Sequence, residues 1–290
     1  MEFWFSLDNP ERTPEWSAED VSSALGGTEP CFLGRGTYGE TWRLTRNGTV
    51  VAAKIIHNRQ ATNARVEREP EAVRRVSGSA RIAQLLSCER VAIGASSYPC
   101  LVFEYVNGGS LASHLLRGHW PGTNEVLAFA KGMLEGLATI HESNVVHRDI
   151  KPENIALKDQ SYHQPAILDF GIARILDIPS LTVYPTPTGT VPYMAPEQIR
   201  GDRAHKGTDL WALGIILYLL VSRRHPFFSD YEHRLDDEDA LDRVLAGPPN
   251  LPSETPDLLA ELILRFLQPQ PFQRGSARRA LRHIGGLVHD

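Results

Sequence analysis

Two short stretches concentrate the side chains that could do chemistry. Val146-His147-Arg148-Asp149-Ile150-Lys151-Pro152-Glu153-Asn154 places a carboxylate, a lysine and an amide within six residues, and twenty residues after Asp149 comes Asp169-Phe170-Gly171, a second carboxylate beside a glycine turn. Such a set can hold magnesium on a polyphosphate and position a hydroxyl nucleophile. Upstream, Gly34-Arg35-Gly36-Thr37-Tyr38-Gly39 follows the apolar pair Phe32-Leu33, so glycines sit where a hairpin must approach a ligand closely. A Gly-x-Gly-x-x-Gly also occurs in dinucleotide folds, where it opens a helix; here Glu40-Thr41-Trp42-Arg43-Leu44 reads as strand. Val51-Ala52-Ala53-Lys54 puts a lysine in a β pattern, where its ammonium is either aimed at phosphate or simply solvated.

Taken in order with Met194-Ala195-Pro196-Glu197, these segments resemble the eukaryotic-type (Hanks-type) Ser/Thr protein kinase family. The resemblance extends from about Leu33 to Arg274: Asp209-Leu210-Trp211-Ala212-Leu213-Gly214 matches the family's buried central helix, and Arg274 stands where a partner for Glu197 is expected. It implies an α+β, bilobal protein kinase fold, with a small, mainly β N-lobe carrying one helix and a larger, mainly α C-lobe. The implied division is 1–25 N-terminal extension, 26–106 ATP-binding N-lobe and 107–290 catalytic and substrate-binding C-lobe. The implied cofactors are ATP and Mg2+, and the implied partners are protein substrates with Ser or Thr, a second copy of the chain in trans among them. The Ile-rich catalytic loop and compact size look more like bacterial members.

Carried over residue by residue, the resemblance makes Asp149 the group that orients the acceptor hydroxyl and takes its proton. Lys151 neutralises the moving phosphoryl group, and Asn154 with Asp169 holds magnesium. Lys54 contacts the α and β phosphates under the hairpin of Gly34, Gly36, Tyr38 and Gly39. A helix glutamate should fix Lys54, with Glu67, Glu69 and Glu71 as candidates; the family spacing to Val76 favours Glu69, although Pro70 suits only a first helical turn. Adenine recognition falls to the backbone of Glu104 and Val106, with Phe103 behind and Leu33 and Ala52 above. Thr41 stands where valine is usual and Ala156 where leucine is usual, which either loosens the apolar sandwich or is compensated by neighbours.

Arg148 directly before Asp149 is the arrangement of family members switched by phosphate. Thr182, Thr186 and Thr188 are the candidate switches in a segment broken by Pro179, Pro185 and Pro187, while Thr190 stays unmodified. A constitutively ordered loop is the alternative. Gly189–Glu197 resembles a peptide-docking segment, which small-molecule phosphotransferases generally lack, and none of the residues whose loss marks a pseudokinase is missing. Glu153 could favour a basic residue near the target hydroxyl, with no second carboxylate at Ser110.

The elements that must position these groups follow from pattern. Thr49–Ile56 and Leu101–Val106 read as strands, with turn chemistry at Asn47-Gly48. A helix is expected around Glu67–Val76, with Val66, Val73 and Val76 as its apolar face. Beyond Asn107-Gly108-Gly109 the pattern turns helical: Thr123 as cap of a helix with Leu127, Ala130, Leu134, Leu137 and His141, an all-apolar buried helix over Leu210–Val221, and helices at Pro256–Leu267 and Ser276–Ile284. Ser17-x-x-Asp20 and Thr13-Pro14-Glu15 both resemble helix starts, and Trp16 and Phe3–Phe5 are expected to dock the N-terminal extension on the sheet rather than form a partner-binding arm.

With 290 residues, 42% hydrophobic and 22% charged, the chain has the balance of a globular protein. Thirty Lys plus Arg against 35 Asp plus Glu give a formal charge of −5, which offers no general attraction to nucleic acid or anionic lipid. Cys31, Cys88 and Cys100 show no C-x-x-C pairing, and no apolar run reaches the roughly 20 residues of a membrane span. A cytoplasmic protein with no membrane span is expected. His114 and His119 read as surface and turn residues rather than metal ligands, and Asp236–Asp239 as a solvated helix start.

Overall fold

The Asn47-Gly48 pair turns the chain with both residues at positive φ, 51° and 76°, the two-residue turn whose twist matches that of the flanking strands. It joins β2 (Gly39–Arg46) to β3 (Thr49–Ile56), with Arg46 paired to Thr49. The computed structural model describes residues 13–36, 39–57, 70–170, 173–176, 191–229 and 237–285. Phe3–Phe5, Tyr38, Val66, Glu67, Glu69, Gly171, Thr182, Thr186, Thr188, Thr190 and Asp236 lie outside the described residues. The chain divides into two compact units, one within Glu2–Gly78 and Ala83–Val106, the other within Ser79–Ile82 and Asn107–Asp290.

The first unit is built on a five-stranded antiparallel sheet of order β1-β2-β3-β5-β4, with β1 at Thr28–Gly36, β4 at Leu85–Ile93 and β5 at Ser96–Glu104. The strand read over Leu101–Val106 therefore starts earlier and stops at Glu104. The turn at Gly94 (φ 60°) sets its register by pairing Ile93 with Ser96. Helix α1 (Ala18–Leu25) starts at Ser17, whose side chain accepts the Asp20 N–H while Asp20 answers the Ser17 N–H, a reciprocal capping box. Thr13–Glu15, the competing helix start, is not helical. Trp16, Val21 and Leu25 pack into one core with Trp42, Leu44, Val51, Ala53, Ile55, Val91, Ile93, Cys100 and Val102, so this stretch covers one face of the sheet. Residues 70–75 form helix α2, with Val73 and the following Val76 buried.

In the second unit, α3 spans Leu111–Leu116, α4 Thr123–Glu142, α5 Pro196–Ile199, α6 Lys206–Ser222, α7 Asp237–Leu245, α8 Asp257–Phe266 and α9 Ala277–Gly285. Short antiparallel pairs add β6 (Val145–Val146) to β9 (Arg174–Ile175) and β7 (Ile155–Leu157) to β8 (Pro165–Ile167). Every residue of α6 from Leu210 to Leu220 is buried, so it is the axis on which α4 and α8 pack. Thr123 is not the cap of α4. It is the first helical residue, and Gly122 is the cap, its N–H taken by the Glu125 carboxylate at 2.8 Å. His114 is not a surface residue: it is buried in α3, with Nε2 2.7 Å from the Gly108 carbonyl. Among the described residues no helix is long and apolar enough to cross a membrane.

Trp16 is 9% exposed on the sheet. Trp16→Ala should lower the unfolding free energy by about 3 kcal/mol or more through lost burial and the cavity left behind. Leu86→Ala, at a side chain 54% exposed, should change it little. Equal midpoints for the two variants in urea melts would show that the segment before α1 is not part of the core.

Candidate active site

In the second unit, the first turn of α6 carries Asp209, 1% exposed. A carboxylate buried this deeply is stable only when hydrogen-bonded. Its Oδ2 accepts the backbone N–H of His147 at 3.0 Å and faces His141 Nε2 at 2.9 Å, and its Oδ1 accepts the Arg148 N–H at 2.8 Å. Burial pushes the Asp209 carboxyl up, but the hydrogen bond and charge of His141, with the Arg148 N–H, outweigh it and hold the group below the usual range. These bonds grip Arg148 at φ 75°, a left-handed conformation that costs a non-glycine residue about 1 kcal/mol or more. The grip also fixes where the next residue, Asp149, begins.

His147 ties this loop to its neighbour. Its Nδ1 accepts the Asp149 N–H at 3.3 Å, so Nε2 carries the proton and donates to the Leu168 carbonyl at 2.8 Å. Its ring meets Phe170 edge to face at 4.8 Å. His147 is thus an organising group within the backbone rather than an available base.

Asp149 Oδ2 lies 3.0 Å from Lys151 Nζ and accepts Asn154 Nδ2 at 3.0 Å; the same amide donates to the Asp149 carbonyl at 2.9 Å. With its NH2 turned to Asp149, the oxygen of the Asn154 amide points elsewhere. The Asn154 carbonyl accepts the Leu168 N–H at 2.9 Å, next to the Ile155–Ile167 pair of β7 and β8, so Asn154 and Asp169 sit at the same end of that hairpin. Asp169 is exposed at φ 53°, while Phe170 beside it is buried. Ala156, in β7, is 3% exposed and bridges Ser110, whose hydroxyl caps α3 through the Ser113 N–H. Glu153 is exposed.

The first unit holds the remaining candidates. Gly36 pairs with Gly39 to close the β1–β2 hairpin. A Cβ on Gly39 would come 2.1 Å from the Ile55 carbonyl oxygen, so packing alone demands that glycine; at Gly34 and Gly36 a Cβ would meet nothing. Among the described residues, no contact explains those two glycines. Thr41 pairs with Lys54 and Ala52 with Phe103, and by alternation these side chains share the sheet face opposite Trp42, Ala53 and Ile55. Lys54 is 8% exposed, and Leu33 is 45% exposed. Glu71 is held by Arg75 at 3.0 Å, one turn along α2, whereas Glu69 lies outside the described residues. The Glu104 N–H is already bound to the Gln84 carbonyl at 2.9 Å, so only its carbonyl can serve a base; Val106 is half-buried.

Behind this array Arg274 meets Glu197 as the resemblance implied, while sequence reasoning missed the supports around that pair. Glu197 meets Arg274 in a two-pronged ion pair at 2.7 and 2.8 Å, both side chains buried, with Thr208 Oγ1 donating to Glu197 at 2.9 Å and Arg274 also reaching the Gly207, Gln268 and Pro269 carbonyls. Gln198 Nε2 donates to the Arg148 carbonyl at 3.0 Å, joining α5 to the loop. His225 accepts the Phe227 and Phe228 N–H groups at Nδ1, each at 3.2 Å, and donates from Nε2 to the Pro192 carbonyl at 2.9 Å.

The profile of the family described as "Protein kinase domain" matches residues 29–284. The probable serine/threonine-protein kinase PkwA of Thermomonospora curvata is 34% identical over 259 residues, covering 87% of this chain and 33% of that protein. Serine/threonine-protein kinase PkaA of Streptomyces coelicolor is 31% identical over 273 residues, 87% of this chain and 48% of that one. Death-associated protein kinase dapk-1 of Caenorhabditis elegans is 31% identical over 207 residues, covering 68% of this chain and 14% of that protein. The chain thus spans less than half the length of each.

Arg274→Leu should cost about 3–5 kcal/mol, because it leaves the Glu197 carboxylate buried with one hydroxyl donor; a loss under 1 kcal/mol in denaturant titration would mean that water or another cation replaces Arg274. His225 gives a pH signature. Burial pushes its imidazole down to about 3, against the upward pull of the Pro192 carbonyl. An unfolded histidine titrates near 6.5. Between those values the unfolded chain binds a proton that the folded one refuses, so stability should fall as pH drops through that window. His225→Gln, whose amide can serve both hydrogen-bond directions, should lose about 2 kcal/mol less than the parent between pH 7 and pH 5. Parallel pH dependences of the two proteins would contradict a neutral, buried His225.

Proposed function

The chain belongs to the protein kinase domain family, and from that premise we propose that it transfers the γ-phosphoryl group of ATP to Ser and Thr hydroxyls of protein substrates. The observation that carries this reading is the convergence of Lys151 Nζ and Asn154 Nδ2 on Asp149 Oδ2, each at 3.0 Å. A carboxylate held from two sides is oriented to accept the hydrogen of an incoming hydroxyl, and Lys151 beside it offers positive charge where phosphoryl charge builds.

The Asn154 amide oxygen and the exposed Asp169 carboxylate form an all-oxygen donor pair, which fits Mg2+. When bound, magnesium supplies neutralisation of the polyphosphate charge. Lys54, with Glu69 as its helix partner, binds the phosphates under the Gly34, Gly36, Tyr38 and Gly39 hairpin. Adenine is taken by the Glu104 carbonyl and the Val106 N–H, with Leu33, Thr41 and Ala52 as the walls that the first unit supplies. Phosphate on Thr182, Thr186 or Thr188, added by a second copy of the chain, pairs with Arg148 and orders the docking segment, while Thr190 stays unmodified. A reducing cytoplasm suits the exposed free thiols of Cys31 and Cys88. The domains follow as 1–25 extension, 26–106 nucleotide-binding and 107–290 catalytic.

Incubation with labelled ATP and a generic basic protein should label the protein. Asp149→Asn and Asp169→Asn should each fold and lower transfer by a factor on the order of 100 or more, with added magnesium partly rescuing only Asp169→Asn. Near-parental activity of either variant would remove its assigned role. Label appearing only in small molecules would indicate a small-molecule phosphotransferase, and no transfer at all a binding scaffold.

A further inference from the structure

Arg35 and Glu40 are directly paired across the β1–β2 hairpin, so their side chains leave the same face of the sheet. Glu40 is fully buried there, an unusual place for a carboxylate, and both of its oxygens are satisfied: Oε2 by the Trp42 indole N–H at 3.1 Å and Oε1 by the backbone N–H of Glu15. Glu15 in turn takes the Arg35 guanidinium on its own Oε2 at 2.6 Å, and His57 Nδ1, just past β3, lies 3.4 Å from that same oxygen. Trp16, the next residue, packs edge to face on His57 at 5.2 Å and on Tyr98 at 5.0 Å. One residue before α1 therefore touches β1, β2 and the end of β3, on the face opposite the one that Lys54 and Ala52 share.

The donor atoms of Glu15, Glu40 and His57 lie within 4.8 Å of one another, a spacing that could suggest a metal. Arg35, the Glu15 N–H and the Trp42 indole already donate to Glu15 Oε2 and to both Glu40 oxygens, so these carboxylate oxygens are satisfied from within the protein, and in the cluster only His57 Nε2 is buried without a hydrogen-bond partner among the described residues. What it does mechanically is close the β1–β2 hairpin from behind. Without it, Gly34 and Gly36 would sit in a hairpin tied only by its own ladder, and two glycines give the backbone there wide freedom.

We propose that Glu15 is a positioning residue for nucleotide phosphate: by joining Arg35 to Glu40 it fixes the glycine-rich hairpin over the site without touching the ligand. This rests on the kinase reading above. The expected consequence is confined to ATP. Glu15→Ala and Glu15→Gln should raise KM for ATP about three- to tenfold while leaving KM for the protein substrate unchanged. Glu15→Asp should recover part of the loss. The control Glu19→Gln, at an exposed α1 residue, should change neither constant.

The deciding measurements are made on the full chain. Binding of Mg·ATP is followed by calorimetry, hydrogen exchange is read separately for 34–39 and 96–104, and the melting temperature is recorded. Weaker binding with faster exchange only at 34–39, together with a non-additive Glu15→Ala/Arg35→Ala double-mutant cycle, supports positioning. Weaker binding accompanied by faster exchange at 96–104 and a lower melting point means the residue merely holds the sheet together, and overturns the proposal. Parental binding by both Glu15 variants also overturns it. Absence of Mg·ATP binding by the parent protein instead strikes the kinase reading itself.

Discussion

A carboxylate with essentially no solvent contact organises the second unit of the chain. Asp209 could not remain charged at 1% exposure without compensation, and the compensation comes from groups far away in sequence: His141 at the end of α4 and two successive backbone amides, His147 and Arg148. The arrangement works in both directions. The donors keep the charge tolerable, and the charge holds a backbone that would otherwise relax from its left-handed turn at Arg148. The start of Asp149 is therefore set by a helix distant in sequence, and the continuous burial of α6 from Gly207 to Leu220 provides the rigid axis that such an anchor needs.

Glu197 and Arg274 are a second buried pair with a different consequence. Their geometry is bidentate, and Arg274 also donates to three carbonyls and lies over the face of Trp211 at 4.9 Å. Such a pair adds little net stability over well-packed apolar side chains of similar volume, yet is costly to break by halves. It specifies which segment packs against α5, whose Gln198 holds the Arg148 carbonyl while Asp209 holds the Arg148 N–H.

What was legible in the sequence was what local chemistry decides. The Asn47-Gly48 turn, β3 over Thr49–Ile56, the Ser17/Asp20 capping box and the apolar Leu210–Val221 stretch of α6 are each encoded by residues within a few positions of one another. The start of α4 was misread because its cap is made backwards, by the Glu125 side chain onto a glycine amide, and Gly122 offers no side chain to notice. His114 was misread because polarity alone suggests surface, whereas the Gly108 carbonyl gives its imidazole a partner inside. Asp149, Lys151 and Asn154 were singled out by type and spacing, and their side chains do come together, with Asp169 at the same end of the β7–β8 hairpin as Asn154. Asp209's partners and the Glu15 cluster could not be singled out, since hydrogen bonds reaching 62 or 25 residues along the chain leave no periodicity or spacing to detect.

The long reach between Glu197 and Arg274 also bears on how the chain is made. Residues emerge from the ribosome in order, so Glu197, Thr208 and the whole of α6 are available well before the arginine that neutralises the carboxylate beneath them, 77 positions later. Until then, closing α5 onto α6 would bury a charge with only a hydroxyl for company, which favours leaving that region open. The last part of the domain to be synthesised thus acts as the latch on a part made much earlier, and a nascent chain stalled in the interval would expose the apolar surface of α6 to chaperones and proteases rather than settle into a half-built enzyme.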